Sequence, residues 1–384
     1  MLKAVVFLAF CLALHALIIP ATDSRIYYTE HNWYADPSGF LETLNPGAYI
    51  KLGFTGSSIS LSLDEPFDQI ICTLLWSVDD GPEQIRSPFD IGSSTFITIA
   101  SDLNTSSPHS LFLIIRSQFS DDRWVNSSTR LRITSFTIDD DATLFAPKLA
   151  PKRLLVYGDS IGEGYAVHGH LPWEYAHDAH KAFAFALAAG LNAELSLIAF
   201  GGQGYTTSGA GLCPPLWNSS GLSNESAWDW LSANHTRSFK KCPDYIINEH
   251  GTNDVESDSN MVFINALGWL KDMRKKCPDS QIFLTVPFGQ FLEETLVKVF
   301  RAYQTESSDA SAYLIQMGEQ ASAGLRNEGP SFASSDGLHP WAWKSVQLGA
   351  RLAAKISAIV NEKHSWEFYF LMSAFYCRPV CQFI

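Results

Sequence analysis

The chain of 384 residues is too long for one ordinary hydrophobic core and is expected to divide into two domains. Its 46% hydrophobic and 17% charged residues, without repeats or low-complexity tracts, exclude a solenoid or a disordered protein. A formal charge of −13 repels polyanions, which argues against nucleic acid, anionic membranes and acidic polysaccharides and favours a neutral partner.

The N-terminus reads as a secretory leader. Lys3 supplies a positive start, Ala4 to Ile19 is almost wholly apolar, and Pro20-Ala21 offers a small residue at the cleavage point. The leader is expected to cover residues 1–21. The apolar run is short for a membrane span of about 20 residues, and polar sequence follows at once, so no span is expected. Five Asn-x-Ser/Thr sequons, at Asn104, Asn126, Asn218, Asn224 and Asn234, fit a secreted, extracellular glycoprotein.

Residues 25–145 read as all-β. Strand-like runs occur at Tyr49–Phe54, Ser58–Leu63, Gln69–Ser77, Phe96–Ala100, Ser110–Arg116 and Leu131–Ile138, with turns about every ten residues. This pattern predicts a sandwich or jelly roll. The composition shifts after Asp139-Asp140-Asp141, and Ala146-Pro147 through Ala150-Pro151 reads as a stiff linker.

From residue 152 to 362, strands and helices alternate. Strands are expected at Arg153–Tyr157, Ser196–Phe200, Tyr245–Asn248 and Ile282–Pro287, and helices at Ala182–Leu191, Met261–Lys275, Leu292–Tyr303 and Trp341–Val360. Such alternation implies a parallel sheet covered on both faces, with ligands beyond the carboxyl ends of its strands. Residues 363–384 are apolar and aromatic from Trp366 to Tyr376, end with Cys377 and Cys381, and form a tail of open status.

The chain has seven cysteines. Cys11 belongs to the leader. Cys242-Pro243-Asp244 and Cys277-Pro278-Asp279 each precede a strand-like run, and if those strands are parallel neighbours the sulfurs can bond. Cys72, inside a buried-strand pattern, reads as an inert core thiol; Cys213 is left free or paired with Cys72. No cysteine spacing resembles a zinc site, and no cofactor is expected.

Four segments stand just after strands. In Gly158-Asp159-Ser160-Ile161-Gly162, Ser160 tops the sheet and is expected to face a helix N-terminus, whose N–H groups could stabilise an oxyanion; alone, it could equally be a helix cap. Gly201-Gly202-Gln203-Gly204 could bring a backbone N–H to a bound carbonyl, or be a plain turn. In Gly251-Thr252-Asn253-Asp254, the Asn253 amide suits an oxyanion hole, or a tight turn. In Asp336-Gly337-Leu338-His339-Pro340, Asp336 can curl back to the His339 ring and leave its other nitrogen to accept a serine proton; alone, this reads as a surface His in a turn.

Together, and in this order, the four segments resemble the blocks of the SGNH (GDSL-type) hydrolase superfamily over residues 152–360. The resemblance implies a flavodoxin-like α/β/α sandwich and a serine esterase. It implies Ser160 as nucleophile, His339 as base and Asp336 as third triad member. Gly204, placed just before Tyr205-Thr206-Thr207, and Asn253 would join the Ser160 N–H as oxyanion donors. Gly158-x-Ser160-x-Gly162 also satisfies the nucleophile elbow of α/β-hydrolases, but that fold puts several strands before the elbow and separates its acid further from its His. A trypsin-like reading fails on the reversed His-Asp-Ser order. A β-rich domain ahead of an SGNH domain is similar to carbohydrate esterase family 2, which implies an O-acetylated carbohydrate substrate. A lipid or short-chain acyl esterase, or a catalytically silent carbohydrate-binding protein, are the alternatives. Trp341 and Trp343 are candidate sugar-stacking residues; Trp217, Trp228 and Trp230 fit stacking or core packing.

Overall fold

The computed structural model describes residues 16–66, 72–118, 121–169, 171–318 and 334–376, the side chains of Ser127 and residues 362–376 excepted. Residues 1–15 of the expected leader, the start of the run at Gln69, and Cys377 and Cys381 lie outside the described residues. We number the longer strands in chain order: β1 Ala16–Pro20, β2 Tyr49–Phe54, β3 Ile59–Leu63, β4 Cys72–Val78, β5 Phe96–Ala100, β6 His109–Gln118 and β7 Leu131–Asp139.

These strands form two antiparallel sheets. One runs 34–35, 41–43, β7, β3, β5, with β1 also paired to β7; the other runs 144–145, β2, β6, β4, 84–86. Alternation of side chains between two faces sends Leu52 and Phe54 of β2, Leu61 of β3, Leu113 of β6 and Phe136 of β7 into one shared core. Residues Tyr49, Leu75 and Ile114 of the second sheet instead face the helical part of the molecule.

β1 falls inside the expected leader and runs antiparallel to β7, Ile19 opposite Phe136. Ile19 is buried, and the Ala21 N–H donates to the Thr134 carbonyl at 2.9 Å. A cut after Ala21 would strip these bonds and uncover one edge of β7.

The second half contains a five-stranded parallel sheet: β8 Lys152–Gly158, β9 Ala193–Ala199, β10 Tyr245–Asn248, β11 Gln281–Val286 and β12 Ala312–Gln316. Its order, β9-β8-β10-β11-β12, puts a switch point at β8, where successive connections leave in opposite directions. Buried on both sides, these strands are near-continuous apolar runs. Helices α1 Phe183–Gly190 and α4 Ala342–Tyr376 cover one face, through Phe183, Leu187, Leu348 and Ile356. Helices α2 Ser259–Lys276 and α3 Glu293–Ser307 cover the other, through Trp269, Leu270, Leu296 and Val299. Asp258 caps α2 by accepting the Asn260 N–H at 2.7 Å, and Arg274, Lys275 and Lys276 oppose the dipole at its far end.

The two Cys-Pro-Asp segments precede β10 and β11, which are parallel neighbours, and Cys242 and Cys277 form a disulfide. Cys72 and Cys213 are buried thiols outside it, and burial pushes both thiol pKa values up, away from reactivity. Glu194 of β9 binds Tyr49 and Lys51 of β2 and, at 2.8 Å, the Ala150 N–H of the linker, joining the two halves.

Candidate active site

Ser160 follows β8, where the chain folds back so tightly that Gly158 and Gly162 touch: a Cβ on Gly162 would lie 3.2 Å from the Gly158 Cα. The next residues form consecutive turns, with the Tyr165 N–H donating to the Ser160 carbonyl at 2.9 Å, instead of the expected helix. Gly164 and Ala166 both take positive φ, which a helix does not allow.

His339 stands before α4 and reaches Ser160 across 179 residues of sequence. Its Nε2 lies 2.8 Å from the Ser160 Oγ. Its Nδ1 lies 2.7 Å from Asp336 Oδ2, while the His339 N–H donates to the other carboxylate oxygen at 2.8 Å. Burial opposes the Asp336 charge, but the His339 ring and the His339 and Leu338 N–H groups outweigh it and hold the carboxyl well below its usual range. Tyr165 packs against the His339 ring with centroids 4.7 Å apart.

Ser160, His339 and Asp336 line a cavity of about 620 Å³ at the carboxyl ends of β8, β9 and β10, within the ordinary range for a small-molecule site. Asn253, Gly201, Gly202, Glu163, Trp173 and Arg123 share its wall. The Asn253 amide donates to Asp159 Oδ2 at 3.1 Å and to the Gln203 carbonyl at 3.0 Å. Asp159 is fully buried. Burial pushes its pKa up to about 6, against the pull of the Ile161 N–H and of charge on His339. Glu249 meets it under the loop. Burial, and then the Asp159 charge, push the Glu249 carboxyl well above its ordinary value.

Gly204 is not where the sequence expected it. Its N–H donates to the Thr207 carbonyl at 2.9 Å, and a Cβ there would lie 2.3 Å from the Asp254 carboxylate. It belongs to a turn tied by Asp254, which accepts the N–H groups of Tyr205, Thr206 and Thr207. The glycines on the cavity wall are Gly201 and Gly202, which follow β9 and Phe200, and Gly211.

Trp341 and Trp343 are not among the described residues that line the cavity; the tryptophan among these is Trp173, which packs with Tyr165 and His177. Trp217 and Trp228 are buried in the core, and Trp230 packs against that core. Sequence reasoning also missed Arg123 and Glu163. Glu163 carried a signal, three residues after Ser160; Arg123 lies in a segment read only as strands and turns. The sequons Asn104, Asn126, Asn224 and Asn234 are exposed, and Asn218 is half-buried.

No family model matches the chain, and no curated protein matches its sequence. Solved structures match it by shape. A family two carbohydrate esterase from Cellvibrio japonicus matches with a TM-score of 0.72 at 16% identity, covering 90% of this chain and 98% of that one. An acetyl xylan esterase from the rumen bacterium Butyrivibrio proteoclasticus gives 0.69 at 18% identity, covering 92% and 99%. A salicylyl-acyltransferase from a tetracycline biosynthetic pathway gives 0.59 at 14%, covering 90% and 98%. The chain thus shares its fold and its arrangement of a strand-rich part ahead of an α/β part with these solved structures, family 2 carbohydrate esterases among them.

Proposed function

We propose that the protein is a secreted serine esterase that removes O-acyl groups, acetyl above all, from carbohydrate hydroxyls. The observation that carries this is the bonded series Ser160–His339–Asp336 in an open cavity at the switch point of the sheet. His339 takes the Ser160 proton as Oγ attacks the ester carbonyl. Asp336 fixes the ring and balances its charge. The Ser160 N–H, the Gly202 N–H and the Asn253 amide stabilise the oxyanion, Asn253 giving up its Gln203 carbonyl contact to do so. His339 returns the proton to the departing sugar hydroxyl. Water, deprotonated by His339, then attacks the acyl-enzyme, and the carboxylic acid leaves as Ser160 regains its proton. Residues 25–145 form a jelly-roll-like domain and residues 152–362 the catalytic domain in this reading.

Several of the solved structures with this fold are carbohydrate esterases, which supports the substrate class. The exposed Leu212 beside the cavity residue Gly211 favours a second reading, an esterase for longer acyl chains. Ser160→Ala is expected to lower turnover of acetylated xylo-oligosaccharides by about 10⁶ with the fold retained. Hydrolysis unchanged in that variant would remove Ser160 as the nucleophile; wild-type protein inert to both esters and to a serine-directed phosphonate would leave a silent binding protein instead. Faster turnover of long-chain esters than of acetylated sugars would select the second reading.

A further inference from the structure

We infer that Arg123, contributed by the antiparallel part of the molecule, is a positioning residue for the reaction, acting through Glu163 on the backbone wall beside the nucleophile. This rests on the esterase reading of the Ser160 site. Arg123 lies between β6 and β7, far in sequence from every motif of the parallel half. Its Nη2 lies 2.6 Å from Glu163 Oε1. The second oxygen of Glu163 accepts the Gly201 N–H at 2.8 Å. Gly201 is pressed against the nucleophile: a Cβ on it would lie 3.7 Å from the Ser160 Cβ. Two contacts therefore link a cation from the first half to a peptide group of the oxyanion wall.

The same segment grips the far end of that loop. The N–H groups of Arg123 and Trp124 both donate to the Gly211 carbonyl, at 3.2 and 2.9 Å. The Arg123 stem fills the space where a Gly211 side chain would stand, 2.4 Å from its Cβ position. The guanidinium lies 4.6 Å from the centre of the Phe200 ring, the residue before Gly201. The loop from Phe200 to Gly211 is thus held at both ends by Arg123.

A purely structural arginine is built differently here. Arg130, equally buried, donates to Glu42 and to the Arg123 and Trp124 carbonyls, and Arg116 donates to Asp178 and to two carbonyls. Arg123 is buried on the cavity wall, yet its guanidinium makes no hydrogen bond of good geometry among the described residues beyond the ion pair. Burying a charge with so few bonds is a poor way to gain stability. Holding Glu163, and through it Gly201, gives the arrangement a use.

The test is kinetic, on the full chain, with 4-nitrophenyl acetate and an acetylated xylo-oligosaccharide as the two substrates. Arg123→Gln and Glu163→Gln are each expected to lower kcat about 10- to 100-fold on both substrates, since the oxyanion wall serves both, with KM changed less than about threefold. The double variant is expected to be no worse than the worse single one, because the two side chains act as a unit. Arg123→Lys keeps the cation and should recover part of kcat. Thermal unfolding checks that each protein is folded, and Glu163→Gln carries the test if the Arg123→Gln protein is not. Full kcat in the folded variants, additive losses, or a loss confined to KM overturns the inference while the esterase reading stands. A wild-type protein lacking Ser160-dependent hydrolysis overturns both.

Discussion

Asp336 uses one oxygen on the His339 ring and the other on the backbone N–H groups of Leu338 and His339, so the side chain both builds the turn and orients the imidazole. Asp336→Asn keeps the shape and removes the charge that stabilises the imidazolium. It is expected to lower kcat by up to about 10⁴, as in other serine triads. A loss below tenfold in steady-state assays would mean that His339 works as half of a dyad. Asn253→Ala is expected to lose about 10²–10³ in kcat with KM little changed; normal turnover would remove Asn253 from the oxyanion hole. Residue identity and motif order made Ser160, Asn253, Asp336 and His339 candidates, because each chemistry needs a particular functional group, and the fold sets all four on one cavity. Identity and order did not separate Gly201 and Gly202 from Gly204. A backbone donor carries no side-chain signature, and Tyr205-Thr206-Thr207 turned out to mark the turn that Asp254 ties.

At the scale of elements, periodicity located the long ones. Tyr245–Asn248 and Phe96–Ala100 are strands with the expected ends, and α2 extends the expected helix by two residues at one end and one at the other. Strand β12, Ala312–Gln316, went unread. Five residues starting after Ser311 show neither alternation nor a long apolar run, and only pairing with β11 makes them a strand. The turns after Ser160 replace a helix because the segment must bring Glu163 to Gly201 and Tyr165 to His339. β1 carries a consequence for the leader. We propose cleavage at Ala13 or Ala16, each a small residue suited to the cut, so that most or all of β1 stays in the mature protein. Mass spectrometry of the protein collected from the medium of a eukaryotic host should then find Leu14 or Leu17 first, and would also register any glycans on the five sequons; a chain starting at Thr22 would refute this boundary.

For the molecule as a whole, the buried Asp159–Glu249 pair couples stability to pH. The Glu249 pKa is raised on folding, so its contribution is complete below its ordinary value of 4.5 and declines as pH climbs toward the folded value. Over the stretch between, it costs about 1.4 kcal/mol per pH unit. Asp159 adds the same sign only up to about pH 6. His31, His177 and His250, pulled down to about 4 mainly by burial, have the opposite sign, and their window closes near 6.5. Chemical unfolding followed upward from pH 4.5 should therefore show the Glu249→Gln protein losing less stability per pH unit than the wild type. Equal slopes in the two proteins would show that the carboxyl is not protonated in the fold.

Local chemistry determined a great deal from sequence alone: a strand-rich half, an α/β half, and the segments around Ser160, Gly201 and Asn253 that follow β8, β9 and β10. Each is written in periodicity or in the functional groups of a few neighbouring residues. The tertiary structure decided what depends on contacts between distant segments: which glycines face the cavity, that Trp173 and not Trp341 lines it, and that Arg123 of one half closes the wall of the other. Strand order and loop docking set those contacts. Neither leaves a periodic trace in the residues that make them.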